Sequence, residues 1–370
     1  MTVLFMSPVP LEGAGCRTRI IQYLPYLAAA GIEGVVRPFM DRRFFAVAYQ
    51  PGAWVRKTIY FLASYVRRFW ECLVESRQYD VVYIYRECAP IGPPLFEWLL
   101  FRLGKPVVYD LDDAIHLPSQ QEQFRSRLWT WLKWYQKVPW ILRRCRHVVV
   151  GNSYLKAYAE RLNTDVTLLP TPEDPRRFQD ERALASNGRT IIGWIGTHST
   201  AQYLVQLGEV FRAIARQHEI ELRVVGAGRP IEIPGVRVIN VPWSLAHEAE
   251  TVQAFAIGVY PLGGSEFDRG KACYKAILYM AAGVPVVASN HGANREIIQD
   301  GVNGLLALSE PEWIAGLTRL IEDQALRERL RENGRITVAS RYAVSVTAPT
   351  LARVLHRVAG THVPSEARRR

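Results

Sequence analysis

The sequence predicts an α/β protein made of two doubly wound domains, each with a parallel sheet covered by helices. The chain has 370 residues, more than one hydrophobic core usually serves, so two domains of roughly 150 to 200 residues are expected. Its content of 49% hydrophobic and 11% aromatic residues excludes a disordered protein. Short apolar runs without alternation recur between longer helical patterns, as expected for strands that are covered on both faces.

Ten such runs predict the strands. The first half contains VLFMS at 3–7, VVYIY at 81–85, VVYDL at 107–111, HVVVG at 147–151 and VTLLP at 166–170. The second half repeats the rhythm with TIIGWIG at 190–196, ELRVVGAG at 221–228, VRVINV at 236–241, FAIGVYPL at 255–262 and PVVASN at 285–290. Two α/β units in tandem account for this order.

The segment 170–190 has three prolines, many charges and few large apolar residues, which indicates an interdomain linker. We therefore expect an N-terminal domain over 1–185 and a C-terminal domain over 186–343. A last helix is expected over 344–360. Residues 361–370 have nothing to bury and are expected to form a disordered tail.

Neither a targeting segment nor a membrane span is expected. The first apolar stretch lacks a basic lead and is ended by Pro8 and Pro10, so it is a first strand and not a signal peptide. No window reaches the roughly 18 apolar residues that a spanning helix needs. Five cysteines without CxxC spacing favour a reducing compartment and argue against a disulfide framework or a zinc site. The chain should be soluble or peripheral.

The segment 263–307 carries the most chemistry. A Gly-rich, charged loop runs into a helix predicted to begin near Ala272, with Lys271 and Lys275 one turn apart on one face. Gly283 and Pro285 end that helix. A helix N-terminus beside two ammonium groups would suit a diphosphate. The alternative is a solvated lysine pair on an ordinary helix.

A second cluster is DLDD at 110–113, directly after a buried strand. Active sites of α/β proteins gather at this end of strands, and mutual repulsion should raise the pKa of at least one carboxyl group. One alternative is a helix N-cap formed by Asp112 or Asp113. Another is an Asp-x-Asp metal site, which the two-sheet layout disfavours. The GAG at 13–15 lacks the third glycine of a dinucleotide fingerprint, since Thr18 stands there, and this argues against a dehydrogenase.

The net charge of +11 is concentrated in the first half, where residues 1–185 hold 25 basic and 18 acidic side chains. Residues 54–70 have four basic residues and no acid, and residues 124–147 have seven basic residues, four tryptophans and no acid. Such segments are typical of surfaces that dock onto anionic membranes. The alternatives are ordinary helix packing with a solvated basic face, and nucleic-acid contact, for which no motif is present.

Taken in order and spacing, several segments together resemble the GT-B glycosyltransferases of family 4, the group 1 retaining enzymes. Those in the second half are GWIGTHSTAQYL (193–204), LRVVGAG (222–228), FAIGVYPL, GKACYKAILYMAAGVPVVAS and GANREIIQDGVNGLL. Those in the first half are GAGCRTR, YDVVYIYRE (79–87), PVVYDLDDAIH (106–116), VVVGNSYL (148–155) and LLPTPED (168–174).

This resemblance implies two Rossmann-like domains facing across a cleft, with the helix at 344–360 crossing back to the N-terminal domain. It implies a UDP- or GDP-linked sugar as co-substrate, with no cofactor and no metal. The acceptor would be a glycan, a lipid-linked molecule or a small molecule, bound to the N-terminal domain, and transfer would retain the anomeric configuration. The expected location is cytoplasmic, peripheral on the inner face of an anionic membrane, with no nucleic-acid partner.

The sequence departs from the family pattern at two places. The family's Glu-x7-Glu carboxylates would stand at Gly270 and Leu278, so both are missing. The basic pair that usually follows the first strand of the C-terminal domain is also replaced, because Thr197 and His198 follow Gly196. We infer that phosphate binding shifts to the amides of Gly196 and Thr197 and to the two lysines. Such a site stabilises leaving-group charge without a metal.

The resemblance also assigns candidate site residues. Asp112 and Asp113 align with a His-Asp pair near the transferred sugar, and they are the expected catalytic residues together with Lys271. The expected donor-binding residues are Gly196, Thr197, His198, Gly226, Gly270, Lys271, Lys275 and Glu296. Gly15, Arg17 and Arg86 are expected to bind the acceptor. Arg19 would also lie near an anionic acceptor, and Glu266 or Asp268 could reach into the site. For Arg86 the alternative is a structural ion pair.

A different class of function stays open. Loss of both glutamates favours a catalytically inactive GT-B-like protein that binds sugar nucleotides or helps to assemble a membrane complex. Retention of the basic pair in GKACYK argues against it, because a scaffold has no need of phosphate ligands. A third class, a basic nucleic-acid-binding protein, predicts an affinity that falls steeply with salt.

Overall fold

The computed structural model describes residues 1–48, 50, 52–119, 122, 126–178 and 188–360. The chain divides into two compact units. The first unit comprises Met1–Thr171, Gly270–Ala272 and Val344–Arg370, and the second comprises Pro172–Arg269 and Cys273–Ala343. Much of the predicted linker and the whole predicted tail, 361–370, lie outside the described residues. The predicted domain limits stay predictions.

The sheet of the first unit has six parallel strands. They are β1 (Thr2–Ser7), β2 (Glu33–Pro38), β3 (Val81–Tyr85), β4 (Val107–Leu111), β5 (His147–Val150) and β6 (Val166–Leu168). Their order is β2-β1-β3-β4-β5-β6, with Val3 opposite both Gly34 and Val81. The order reverses between β1 and β3, which makes this the switch point of the sheet.

Eight helices accompany these strands within the described residues of the unit up to Thr171. They are α1 (Ala14–Arg19), α2 (Leu24–Ala29), α3 (Arg42–Ala48), α4 (Trp54–Leu73), α5 (Leu95–Arg102), α6 (Arg127–Lys133), α7 (Lys137–Leu142) and α8 (Ser153–Ala159). Short 3-10 turns lie at Ile21–Tyr23 and Glu75–Gln78.

The second unit has its own sheet of six parallel strands. They are β7 (Thr190–Ile195), β8 (Ile220–Val225), β9 (Val238–Val241), β10 (Ile257–Tyr260), β11 (Val286–Ser289) and β12 (Leu305–Ala307), ordered β12-β11-β10-β7-β8-β9. Counted along the chain this is the 3-2-1-4-5-6 order of a Rossmann fold, with the switch point between β7 and β10.

The helices of the second unit follow the same doubly wound plan. They are α9 (Ala201–Val205), α10 (Gly208–Ala215), α11 (Glu248–Gln253), α12 (Glu266–Arg269), α13 (Tyr274–Ala281), α14 (Asn294–Ile297), α15 (Glu310–Glu322) and α16 (Gln324–Thr337). A 3-10 turn at Pro175–Phe178 precedes them and a π-helical turn at Val338–Tyr342 follows. The last helix, α17 (Val344–Ala359), belongs to the first unit.

Both faces of each sheet are covered, as the continuous apolar runs predict. In β7, Ile192 and Trp194 join a core formed with α10, α15 and α16, whereas Ile191 and Ile195 join a separate core formed with α13. In β1, Val3 and Phe5 pack with residues of α2 and α17, and the intervening Leu4 is also fully buried. The predicted α/β class with two doubly wound units is confirmed.

All ten predicted runs contain a strand, and two strands are missed. Both are edge strands, β2 and β12. No residue of β2 is fully buried, and β12 has only three residues, so neither shows a long apolar run. Among the described residues, no helix combines the length and apolar character needed to cross a membrane.

Candidate functional site

The carboxyl ends of β3 and β4 lie side by side, next to the switch point of the first unit. Arg86 follows β3 directly and adopts a left-handed conformation with φ 61°. Its N–H donates to the carbonyl of Asp110 at 2.8 Å, and its own carbonyl accepts from the Tyr109 hydroxyl. The backbone of Arg86 is therefore fixed to β4 at the strand ends, where ligands of open α/β sheets bind.

Arg86 binds both predicted catalytic carboxylates. Its Nε donates to Asp112 Oδ1 at 2.6 Å, and its Nη2 donates to Asp113 Oδ2. The Tyr85 hydroxyl donates to the other oxygen of Asp112 at 2.8 Å. The N-cap alternative is wrong, because no helix occurs in the described residues 112–119. The expected ion pair of Arg86 exists, and its partners are the candidate catalytic residues themselves.

The environment of Asp112 shifts its acidity. Burial raises the pKa of this carboxyl group above its ordinary value, the Arg86 guanidinium opposes that rise, and the charge of Asp113 adds to it. The prediction that repulsion within DLDD raises at least one pKa is therefore confirmed, although burial is the larger cause.

Arg19 does not meet an acceptor. It is fully buried and forms a bidentate ion pair with Asp110, with Nη2–Oδ1 at 2.5 Å and Nε–Oδ2 at 2.9 Å. Its Nη1 also donates to the carbonyl of Leu169 at 2.7 Å. The expectation that Arg19 faces an anionic acceptor is wrong, because all of these bonds hold it inside the unit.

The other residues predicted to bind the acceptor lie close to this cluster or below the surface. A Cβ added at Gly15 would overlap the Tyr85 hydroxyl, so glycine lets the first turn of α1 pack directly against the group that holds Asp112. Arg17 is also buried. Acceptor binding by Gly15, Arg17 and Arg86 stays a prediction.

The segment Gly270–Ala272 packs against the same carboxylates. The N–H of Ala272 donates to Asp113 Oδ1 at 3.2 Å, and Asn152 Nδ2 donates to the carbonyl of Lys271 at 2.9 Å. A Cβ at position 270 would overlap the Cβ of Ala114 and lie 3.1 Å from its backbone nitrogen. A glutamate therefore does not fit at Gly270, and the departure from the family pattern follows from this close approach.

Sequence reasoning missed Asn152. The pattern GNSYL indicates a helix N-cap, and Asn152 Oδ1 does accept from the Leu155 N–H at 2.9 Å. Its amide nitrogen also donates to the carbonyl of Lys271. This bond joins residues 119 positions apart, so no local sequence pattern predicts it.

The two lysines do not share a helix face. The helix α13 begins at Tyr274, and Cys273 before it is left-handed with φ 53°. Lys271 therefore precedes the helix and is grouped with the first unit, whereas Lys275 lies in the first turn of α13 in the second unit. The predicted start near Ala272 is wrong because this left-handed residue interrupts the helical backbone.

Lys275 stands at the switch point of the second unit. Its Nζ lies 5.6 Å from the ring centroid of Trp194 on β7 and 5.0 Å from that of Tyr260 at the end of β10. It also lies 3.5 Å from Thr200 Oγ1. Two aromatic faces and a hydroxyl group thus hold an ammonium group at the strand ends where a doubly wound sheet binds its ligand.

The backbone amides of the loop after β7, which were expected to bind phosphate, form hydrogen bonds within the second unit. The N–H of Gly196 donates to the Val225 carbonyl at 3.0 Å, and the N–H of Thr197 donates to Thr200 Oγ1 at 3.2 Å. Both amides have acceptors within the unit, and phosphate binding by these two N–H groups stays a prediction. Donor binding by Gly196 and Thr197 through other groups stays a prediction.

The loops after β7 and β8 approach closely through glycine. Gly226 has φ 76°, and a Cβ there would lie 2.6 Å from the Gly196 carbonyl oxygen. His198 is exposed, and a Cβ on Gly228 would lie 3.2 Å from its Cβ. Glu296 is exposed on α14, which follows β11.

The carboxylates upstream of the lysines have structural partners. Asp268 is buried and accepts from the Tyr203 hydroxyl at 2.9 Å and from the Ser265 hydroxyl at 2.7 Å, which fixes the loop before α12. Glu266 is exposed and pairs with Arg269 at 3.2 Å. Leu278, at the second family glutamate position, is buried in the core of α13. Across the described residues no cluster of three or more His, Cys, Asp or Glu side chains forms a metal-ligand set.

Comparisons with known proteins show which family and which folds the chain resembles. Residues 189–323 match the family described as "Glycosyl transferases group 1". The phosphatidyl-myo-inositol mannosyltransferase of Mycobacterium tuberculosis is 28% identical over 245 residues, which cover 60% of this chain and 63% of that protein. The chain thus spans less than two thirds of the length of the curated relatives it matches.

Solved structures share the fold over nearly the whole chain. Sucrose-phosphate synthase from Thermosynechococcus elongatus has a TM-score of 0.68 at 17% identity, covering 96% of this chain and 98% of that one. Anabaena HepE in complex with UDP and glucose has a TM-score of 0.69 at 16% identity, covering 96% of this chain and 100% of that one. The predicted GT-B fold and the resemblance to family 4 are confirmed.

Proposed function

We propose that this chain, whose residues 189–323 match the group 1 glycosyltransferases, transfers a sugar from a nucleotide-sugar to an acceptor. The observation that carries the proposal is the position of Lys275. Its ammonium group lies at the strand ends of the second unit, against Trp194, Tyr260 and Thr200, within the residues that match the family. A fixed cation there suits the diphosphate of the donor.

A UDP- or GDP-linked sugar is the proposed donor. The Anabaena neighbour is described in complex with UDP-glucose, and this supports a UDP-linked sugar. A glycan, a lipid-linked molecule or a small molecule is the proposed acceptor. The name of the mycobacterial relative includes phosphatidyl-myo-inositol, and this supports the lipid-linked class.

Retention of configuration is part of the proposal and follows from the family resemblance. The bond between the anomeric carbon and the donor phosphate breaks, and the acceptor oxygen bonds to that carbon on the same face. The proton of the acceptor hydroxyl passes to the leaving phosphate oxygen. The positive charges of Lys271 and Lys275 are the proposed stabilisers of the leaving group, so no metal is needed.

The proposed role of Asp112 and Asp113 is to face the transferred sugar. Support comes from their grouping with Arg86, from the bond between Asp113 and the Ala272 N–H, and from the anchored carbonyl of Lys271. The proposed location is cytoplasmic, peripheral on an anionic membrane surface.

A nucleotide screen by thermal shift tests the donor assignment. A nucleotide at a hundred times its dissociation constant stabilises a protein by about 2.7 kcal/mol. We expect UDP or GDP to raise the melting temperature of the wild type, and Lys275→Ala to reduce that rise. Lys156→Ala is the control, because Lys156 forms a surface ion pair with Glu160 in the first unit. An equal rise in the wild type and in Lys275→Ala contradicts the assignment.

An inactive sugar-nucleotide-binding protein is the second candidate, because both family carboxylates are missing and position 270 has no room for one. Assays of donor hydrolysis and transfer with a panel of nucleotide-sugars separate the two candidates. Turnover supports the enzyme, and nucleotide binding without turnover supports the inactive protein.

A further inference from the structure

Among the residues that the structure describes, α4 packs against the first unit through one face. On that face the Phe61 ring lies 5.5 Å from the Phe39 ring, and the Tyr65 ring lies 4.6 Å from the Phe96 ring. Arg68 is buried and donates to the carbonyl of Arg37 at 2.9 Å. These side chains recur at helical spacing and account for the attachment of the helix.

The opposite face of α4 is apolar as well, although it is exposed. Its members recur every three or four positions, and between 44% and 75% of each side chain is exposed: Val55, Ile59, Leu62, Val66 and Phe69. Trp54 and Trp70 stand at the ends of this row, 75% and 61% exposed. A solvated helix is normally polar on its outer face, and single exposed apolar residues are ordinary whereas a continuous row indicates an interaction surface.

The charge of the side chains on and around α4 indicates an anionic partner. From Trp54 to Trp70 the helix has no acidic residue. The first acid, Glu71, is buried and paired with Arg67 and Arg68. At the other end Arg56 is exposed, and α3 beside the helix begins with the exposed Arg42 and Arg43. Arg42 is paired with Glu12, so the surface at this end of α4 includes one carboxylate, but its net charge is positive.

We propose that the outer face of α4, defined as Val55, Ile59, Leu62, Val66 and Phe69 with Trp54 and Trp70, lies in the interface of an anionic lipid bilayer. An interfacial helix pairs an apolar row with basic residues, and its tryptophans lie at headgroup depth. The helix has 20 residues, so it is about 30 Å long and lies along the surface.

The sequence suggests two basic, aromatic segments as membrane-docking surfaces, and the structure favours the first of them. In the second basic and aromatic segment, Lys137 is buried and lies 2.6 Å from Glu87, and the Trp140 ring lies 5.8 Å from that of Phe101. Lys137 and Trp140 thus serve internal packing, whereas Arg143, Arg144 and Arg146 of the same segment are exposed. The helix α4 is therefore the docking element of the proposal, and Trp131, 63% exposed, lies outside it.

Vesicle flotation of the full chain tests the proposal without any nucleotide, so its result does not depend on the proposed enzymatic function. We expect binding to vesicles of phosphatidylcholine with phosphatidylglycerol, and much weaker binding to phosphatidylcholine alone. The double variant Leu62→Gln, Val66→Gln should bind the anionic vesicles at least about tenfold more weakly, because two side chains that enter the interface become polar. Arg56→Gln should weaken binding less and reduce its dependence on salt.

The matched control is Ile336→Gln, which makes the same kind of change at an exposed apolar residue of the second unit. All substituted side chains are exposed, so melting temperatures should match the wild type. Two vesicle results would overturn the proposal: no binding of the wild type to anionic vesicles, or equal binding by the wild type and the double variant. A third result would do so as well: the wild type self-associates without binding vesicles, and the double variant, but not Ile336→Gln, abolishes that self-association.

Discussion

The Nε of Arg86 lies 2.6 Å from Oδ1 of Asp112, joining the ends of two neighbouring strands through a largely buried ion pair. Arg86→Ala would leave the Asp112 carboxylate buried, with the Tyr85 hydroxyl as its one remaining donor among the described side chains. We expect a loss of about 2 to 3 kcal/mol in the free energy of unfolding, because an uncompensated buried charge is costly. Urea denaturation at neutral pH measures it.

The control for this variant is Arg77→Ala, since Arg77 is an exposed arginine of the same unit. If both variants lose the same free energy, the ion pair does not stabilise the fold. Glycosyltransfer should also fall in Arg86→Ala and stay normal in Arg77→Ala, as the proposed site requires.

A pH dependence is expected from Glu87. Burial alone would raise the pKa of this carboxyl group, but the ammonium groups of Lys133 at 3.1 Å and Lys137 at 2.6 Å lower it below its ordinary value. An acid whose pKa is lower in the folded state adds stability above the unfolded pKa of about 4.3, and this contribution is lost as the pH falls through the folded value.

The variant Glu87→Gln isolates this contribution. It leaves the ammonium group of Lys137 buried without a carboxylate, so at pH 7 it should unfold about 3 kcal/mol more easily than the wild type. Denaturation of both proteins from neutral to acidic pH should show the gap closing as Glu87 becomes protonated. A gap that stays constant with pH would show that the loss is not electrostatic.

Part of this arrangement could be predicted from the sequence. Continuous apolar runs indicate buried strands, and the rule that polar residues at strand ends form sites singled out Arg86 and Asp112, which the structure brings into contact. The start of α13 could not be predicted, because it depends on the left-handed conformation of Cys273. The partners of Lys275 were also missed, since Trp194 and Tyr260 look like ordinary strand residues until the sheet places them beside the helix.

Position 270 should tolerate only glycine. In Gly270→Ala the new Cβ overlaps the Cβ of Ala114, so the segment that holds Lys271 must shift. We expect a loss of about 1 to 3 kcal/mol in stability, as for overpacked sites, and a fall in turnover. The double variant Gly270→Ala, Ala114→Gly removes the larger overlap and should recover part of both. Failure of the second substitution to rescue the first would show that this contact is not the cause.

Two hydrogen bonds hold the backbone around Lys271 without using its ammonium group. Asn152 binds its carbonyl, and Asp113 binds the following N–H, so neither anchor involves the ammonium group. We therefore expect Lys271→Ala to keep the wild-type melting temperature while turnover falls by about 10²-fold or more, the effect of losing one stabiliser of developing charge. Lys156→Ala should retain full turnover. Asn152→Ala should lower both stability and turnover, because it removes an anchor and the cap of α8. Normal turnover in Lys271→Ala would contradict its assignment as a catalytic residue, whereas a large loss of stability in that variant would show that the side chain supports the fold.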